Sequence, residues 1–505
     1  MKGLLPFTHS IASDSFALEY ETCNQYIKPA STTERFDVWP NGSQTVEKVI
    51  VFSAGQRIIT EPIHVSSEHV LELAFSLPTG MDARSGAAIE LRLSNGGASI
   101  STWYTHRISE LKPLCRQTIR LGLSQFAGET RWFELALVSS SGINATVGIS
   151  RFVICEQGRL SRVNALSNYD QRLKNEISHF SGTAYTHTMY GSQKSRSEEI
   201  ELERHQAQLH AQPRFLLEQE ASLRKAVSLV QPEAGEPVFG FAQRCLGSVI
   251  PLTPPDFYSR ASNLGRDRTL RILSLCAGAA RIEEEITKHC QTQVELTLLD
   301  VSEDLIQRAA ARFSEGGHKV RCLVGDINNG LPGDESFNII VCVSALHHVA
   351  NLELVLSQIN ERLTPDGEFW SIGEQIGRNG NRLWPEAMSA ANDAFKKLPK
   401  RYRKNAHTNK IDETVPDDDF STGCFEGIRS EELSAMLESY LVPVDVYKRN
   451  CFLWRLSDAT YCDNFNLSFP EDLQHLRELV IAEAMHWVRG GRGTEMHGVF
   501  RRKQF

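Results

Sequence analysis

LSLCAGAARIEEE, residues 273–285, is an apolar run that breaks at a set of small residues and passes at once into a charged segment. Gly278 and its neighbours Ala277, Ala279 and Ala280 let the backbone turn tightly and come close to a ligand before a helix opens. Taken alone, such a turn is equally well explained by packing. The surrounding pattern decides the matter. Short apolar runs recur at residues 272–275, 296–299, 320–324, 337–343 and 369–372, and helical spacing returns between them, as at Leu352, Val355, Ile359 and Leu363. This alternation predicts βαβ units, a parallel sheet covered on both faces, and a ligand crevice beyond the carboxyl ends of the strands.

The strand ends carry the polar residues. LTLLDVSEDLIQRAAARF (296–313) puts Asp300 22 residues after Gly278, close to the spacing at which an acid meets ribose hydroxyls in dinucleotide folds. A carboxylate suits a vicinal diol because it accepts two hydrogen bonds. Ser302 is a candidate N-cap for the next helix, and Gly316-Gly317 a candidate end for it. VRCLVGDINNGLP (320–332) sets Asp326 at a third strand end beside Gly325, where it can accept from an adenine amine. FNIIVCVSALHHV (337–349) ends a fourth strand at Ser344, with His347 and His348 beyond it, and Pro365-Asp366-Gly367 turns the chain into a fifth.

In this order the motifs resemble the class I S-adenosylmethionine-dependent methyltransferases over roughly residues 270–505, a little under half the chain. The resemblance implies an α/β Rossmann-like domain with a mostly parallel seven-stranded sheet and S-adenosylmethionine as cofactor. It implies that the first loop (Ser274, Cys276, Gly278) holds the methionine part, Asp300 the ribose and Asp326 the adenine amine, with Val301 and Ile327 flanking the ring and Ser344 beside the sulfonium. EQIGRNGNRLWPEAM (374–388) looks like a segment of a subset associated with glycan or specialised-metabolite pathways. Residues 473–487, the Gly490-Gly491 turn and EMHGVFRRK (495–503) are similar to the family's last helix and antiparallel strand. The departures lie in the first loop, where an acid followed by G-x-G-x-G is replaced by Ser274, Cys276, Gly278 and Ala280. Loss of the acid removes a partner for the methionine ammonium, for which Ser274 or Glu283 is the candidate replacement.

Methyl transfer from a sulfonium is an in-line displacement, so the protein has to align two molecules and, for a hydroxyl acceptor, remove a proton. His347 and His348 are candidate bases, and at least one is expected to serve structure or the cofactor side. Glu374 is the next candidate, against an ordinary alternative of solvation or pairing with Arg378. Arg378, Asn379, Asn381 and Trp384 are candidates for the acceptor side or for a surface lid. No spacing of the HExxH kind occurs, so no metal is expected.

Earlier in the chain the periodicity is two. Leu71, Leu73 and Phe75, then Ile89, Leu91 and Leu93, Ile119, Leu121 and Leu123, Phe133, Leu135 and Leu137, and Val147 and Ile149 give about eight short strands. They predict an all-β sandwich of jelly-roll kind over residues 36–156, with a carbohydrate-binding-like role open to it. Residues 157–268 read as a helical connector that includes the charged run SRSEEIELERHQAQLHAQ (195–212), and residues 269–505 as the methyltransferase domain.

A net charge of −8 argues against nucleic acid as the main partner and for a small-molecule or glycan acceptor. Eleven cysteines without a CxxC pair, a poor secretory start and no membrane-length apolar run point to a reducing, cytoplasmic setting. The reading is an O-methyltransferase. The competing readings are a scaffold that binds the cofactor weakly or recognises carbohydrate, and an NAD(P)-dependent oxidoreductase, which the missing GxGxxG and Gly325-Asp326 disfavour.

Overall fold

The computed structural model describes residues 32–38, 44–54, 57–59, 63–76, 87–94, 101–107, 117–139, 146–166, 169–180, 220–250, 254–313, 319–457 and 460–504. The charged run at 195–212 and the Gly316-Gly317 helix end fall outside them. Gln44–Leu173 belong to one compact unit and Lys174–Phe505 to a second.

In the first unit the strands are β1 (Thr32–Val38), β2 (Gln44–Ser53), β3 (Arg57–Ile59), β4 (Ile63–His64), β5 (His69–Ser76), β6 (Ala87–Ser94), β7 (Ser101–Arg107), β8 (Gln117–Gly122), β9 (Thr130–Ser139) and β10 (Thr146–Glu156). One sheet runs β1-β2-β10-β5-β8 and another β3-β9-β6-β7, with β4 paired to β9. The period-two residues explain the pairing of sheets. Leu71, Leu73 and Phe75 from one sheet and Ile89, Leu91, Phe133, Leu135 and Leu137 from the other are buried in a single core. On the opposite face of β5 and β10, Val70, Val153 and Cys155 are also buried, and the Gln157–Leu166 helix contacts both strands. Two acids kept from water are each paired, Glu72 with Arg120 at 2.8 Å and Glu134 with Arg92 at 2.9 Å, as buried carboxylates require.

The second unit is built on β11 (Leu270–Leu275), β12 (Val294–Asp300), β13 (Lys319–Val324), β14 (Phe337–Val343), β15 (Leu363–Gln375), β16 (Leu441–Arg449) and β17 (Glu495–Arg502). They form one seven-stranded sheet in the order β13-β12-β11-β14-β15-β17-β16. β11 to β15 are parallel, and β17 lies antiparallel between β15 and β16. Apolar residues on both faces of each central strand are what make it a buried parallel sheet. Leu273, Leu275, Ile340 and Cys342 face a core with the Leu352–Arg362 and Ser430–Tyr440 helices, while Ile272, Ile339 and Val341 face a core with the Phe257–Leu264 and Arg281–His289 helices.

Strand order reverses between β11 and β14, so their carboxyl ends splay connections to opposite sides and open the crevice in which such sheets bind ligands. The Glu220–Ser228 and Val238–Gly247 helices, within the stretch read from sequence as connector, share a buried cluster with the Pro385–Phe395 and Pro470–Val488 helices of this unit. Among the described residues no helix is long and apolar enough to cross a membrane, and nine cysteines are free.

Candidate functional site

At the end of β11 the backbone takes a left-handed conformation at every second residue, with φ of 51° at Cys276, 53° at Gly278 and 53° at Ala280. These are the three positions at which the resemblance implies glycine. Asp300, at the end of β12, fixes the loop's path: its carboxylate accepts from the Gly278 N–H at 2.9 Å and the Ser302 N–H at 2.8 Å. It is 7% exposed, and burial, only partly offset by those amides, raises its pKa from the ordinary aspartate value. Ser274 is fully buried and donates from Oγ to Glu283 Oε1 at 2.6 Å, which brings a carboxylate from the next helix to the strand that lacks one.

The third and fourth strand ends are tied by amides. Asp326 Oδ1 accepts from the N–H of Asn328 at 2.9 Å and from its Nδ2 at 3.0 Å, while Asn328 Oδ1 accepts from Ala350 N at 2.8 Å and Asn351 N at 2.9 Å. Ile327 is buried beside this knot, and Val301 is half-buried after Asp300. Ser344 leaves β14 with φ of 49° and donates from Oγ to the Gly373 carbonyl at 2.8 Å. The cofactor-side residues read from sequence thus stand together along four adjacent strand ends.

Beyond β14 lies a buried group of histidines and carboxylates. Glu374 Oε1 accepts from the N–H groups of Ala345 and Leu346 at 3.1 and 3.0 Å, and Oε2 from His347 N at 3.2 Å and His347 Nδ1 at 2.8 Å. His347 Nε2 faces Glu426 Oε1 at 3.5 Å. His348 puts Nε2 3.2 Å from Glu426 Oε2 and Nδ1 2.5 Å from Glu176 Oε1. Burial alone would push His347 down, but Glu374 and Glu426 outweigh it and hold the ring up at about 9. Burial likewise opposes charge on Glu426, and His348 with His347 outweighs it, leaving the carboxyl at about 2. His179 lies in the same electrostatic neighbourhood and is pushed down by burial.

Two segments the sequence did not single out complete this group. Glu176 comes from the Tyr169–Phe180 helix and also accepts from Phe425 N at 3.0 Å; Phe180 packs edge-on to His348 at 5.3 Å. Glu426 comes from the insertion after β15, where two glycines let the chain cross itself: Gly380 N–H donates to Gly427 O at 2.8 Å, and a side chain on Gly427 would collide with the Asn381 backbone. The crossing sets Asn381 Nδ2 3.1 Å from Glu426 Oε1. No local motif announces Glu176 or Glu426, because their proximity to the histidines is created only by tertiary closure.

The remaining expectations meet a different geometry. Glu374 is fully buried with both oxygens engaged by His347 and the turn amides, so it positions that turn, and its pairing with Arg378 is not what forms. Arg378 bonds the Leu383 carbonyl and Asp417, Asn379 exchanges two hydrogen bonds with Glu431, and Trp384 donates to Gly493 O at 3.3 Å beneath Arg492. These three are engaged in loop-fixing contacts, and Asn381 is the residue of that segment that reaches the histidine group. Although no metal-binding spacing exists in the sequence, His347, His348 and Glu426 offer ligand atoms that all lie within 4.8 Å of one another.

Residues 272–367 match the family described as "Methyltransferase domain". An uncharacterized methyltransferase of Schizosaccharomyces pombe is 24% identical over 127 residues, which covers 24% of this chain and 44% of that protein. The chain therefore spans less than half the length of this curated relative. Among solved structures, an S-adenosylmethionine-dependent methyltransferase from Clostridium acetobutylicum is 18% identical with a TM-score of 0.21, covering 25% of this chain and 53% of that one. A second from Mesorhizobium loti is 16% identical with a TM-score of 0.28, covering 46% and 91%.

Proposed function

We propose that this chain, whose C-terminal half is a class I S-adenosylmethionine-dependent methyltransferase domain, methylates an oxygen of a neutral polar acceptor such as a sugar of a glycan or a specialised metabolite. The observation that carries the reading is Asp300. Its carboxylate bridges the first loop and the start of the next helix through the Gly278 and Ser302 amides, and a carboxylate has acceptor capacity beyond these for a ribose hydroxyl.

The loop around it suits the cofactor. A side chain on Gly278 would meet nothing within 4 Å, so there is open space over the turn, and Glu283 can replace the missing acid as partner of an ammonium. Asp326 and Ile327 are the residues that would hold an adenine. Bound there, S-adenosylmethionine supplies an electrophilic methyl group. The chain's own task is then to orient the acceptor and manage its proton. Glu176, Glu374 and Glu426 make the acceptor side rich in carboxylates, which disfavours an anionic acceptor and favours a hydrogen-bonding neutral one.

For the first unit we infer a sandwich over residues 36–156 that recognises the acceptor; its support is the single core shared by two sheets. Incubating the protein with methyl-labelled S-adenosylmethionine and fractionated polar metabolites and glycans, followed by mass spectrometry, tests the assignment. The expected product carries the label on a hydroxyl of a neutral acceptor. Label only on carboxylates or phosphates would refute the acceptor class.

A further inference from the structure

We propose that His347, His348 and Glu426 bind one first-row divalent cation, of the Zn²⁺ or Fe²⁺ kind, on the acceptor side of the methyltransferase domain. Two imidazoles and a carboxylate are the donor set such ions select. Ligands about 2.1 Å from one ion stand about 3.0–3.4 Å apart. Glu426 presents one oxygen to each ring, at 3.5 Å from His347 Nε2 and 3.2 Å from His348 Nε2.

The arrangement behind the ring nitrogens points the same way. Histidines that ligate metals through one nitrogen carry a carboxylate on the other, which fixes the tautomer and the ring. Here His347 Nδ1 is hydrogen-bonded to Glu374 at 2.8 Å, and His348 Nδ1 is paired by charge with Glu176 at 2.5 Å without hydrogen-bond geometry. Both Nε2 atoms face the same carboxylate.

A second observation is independent of that convergence. Glu426 is 1% exposed, yet its Oε2 has no hydrogen-bond partner, because His348 Nε2 stands beside it at an angle unsuited to a hydrogen bond. An unsatisfied buried carboxylate oxygen is costly, and a cation between the two atoms removes the cost. Charge balance agrees. Three carboxylates, Glu176, Glu374 and Glu426, converge on two imidazoles, and the attraction that favours a ring proton favours a metal ion in its place, with release of that proton on binding.

The site is also held in shape before any ion arrives, by the Glu374 contacts to the turn after β14, by the Gly380–Gly427 crossing, and by Ile428 N, which donates to the His347 carbonyl at 3.1 Å. If the methyltransferase reading holds, an acceptor hydroxyl can become a further ligand and a stronger acid. Binding of the ion does not depend on that reading.

The test is titration of the full-length protein, first freed of metal by a chelator, with Zn²⁺ by calorimetry and with Co²⁺ by visible absorption. We expect one equivalent of either ion, a higher melting temperature with Zn²⁺, and a ligand-field spectrum of a nitrogen and oxygen donor set. Glu426→Gln and His348→Ala should each weaken binding more than about 100-fold, and Glu374→Gln about 10- to 100-fold through His347. Absence of stoichiometric binding by the parent protein overturns the proposal without any variant. So does binding that Glu426→Gln and His348→Ala both leave unchanged. S-adenosylmethionine titrated into the same metal-free protein separates the two failures, since cofactor binding without metal binding defeats this inference alone.

Discussion

Cys276 and Ala280 hold a left-handed backbone in which glycine is the low-strain residue. An L side chain in that region costs about 1–2 kcal/mol, part of which glycine gives back through its freer unfolded chain. Ala280→Gly should therefore raise stability by up to about 1 kcal/mol in urea unfolding, whereas a clear loss would mean the alanine methyl makes packing that outweighs its strain. The two histidines should separate as well. His347 is enclosed between Glu374 and Glu426, so His347→Ala leaves buried charge unpaired and should cost about 3–5 kcal/mol of stability. His348 is the more exposed ring; His348→Ala should cut turnover about 100- to 10,000-fold and leave cofactor affinity nearly unchanged. Steady-state kinetics beside calorimetry distinguishes these outcomes. At this scale the acids at strand ends were legible, because spacing along a βα unit fixes where a strand stops. Glu176 and Glu426 were not, since nothing local constrains which distant carboxylate meets a histidine. Arg378 and Trp384 were read as acceptor-side or lid candidates from composition alone, which does not convey that their side chains bond Asp417 and the Gly493 carbonyl.

The five parallel strands of the second unit were readable from apolar runs, and its last antiparallel strand only through the resemblance of residues 473–487, the Gly490-Gly491 turn and EMHGVFRRK to the family's final unit; β16 was not read. What the pattern could not convey is how β16 and β17 are locked at their ends. Glu495 faces Arg449 in the register, with the ion pair at 2.7 Å and further bonds from Asn450 at 2.6 Å and His497 at 3.2 Å. Burial opposes its charge, but Arg449 and His497 outweigh that and hold the Glu495 carboxyl well below its usual range. A depressed carboxyl contributes stability that is fully present above the unfolded-state pKa and is lost as pH falls towards the folded one. Glu495→Gln should thus cost about 3–5 kcal/mol near neutrality, and the gap to the parent should narrow as pH drops below about 4.5. Chemical unfolding at several pH values checks this; a gap that widens on acidification would contradict the assigned sign.

As a whole, the chain joins two units that the sequence distinguishes by periodicity, two in the first and alternating in the second. The change of period marks where β10 ends, but not that the helix of residues 157–166 belongs with the strands before it. A fragment of about residues 30–173 should fold cooperatively with β-dominated circular dichroism. Ending it at 156 should lower its melting temperature by a few degrees, because the contacts of the Gln157–Leu166 helix with β5 and β10 are lost. Equal melting of the two fragments would show that the helix adds nothing. The acceptor was not legible at any scale, since the site proposed for it is assembled from a helix before the sheet and a segment after β15. The central claim is that the strand ends around Asp300 bind S-adenosylmethionine, and isothermal titration of the full-length protein and its Asp300→Ala variant tests it most directly. The account predicts one equivalent bound by the parent and binding weaker by about 1–3 kcal/mol in the variant. No heat of binding to the parent, or equal affinities for the two proteins, would contradict it.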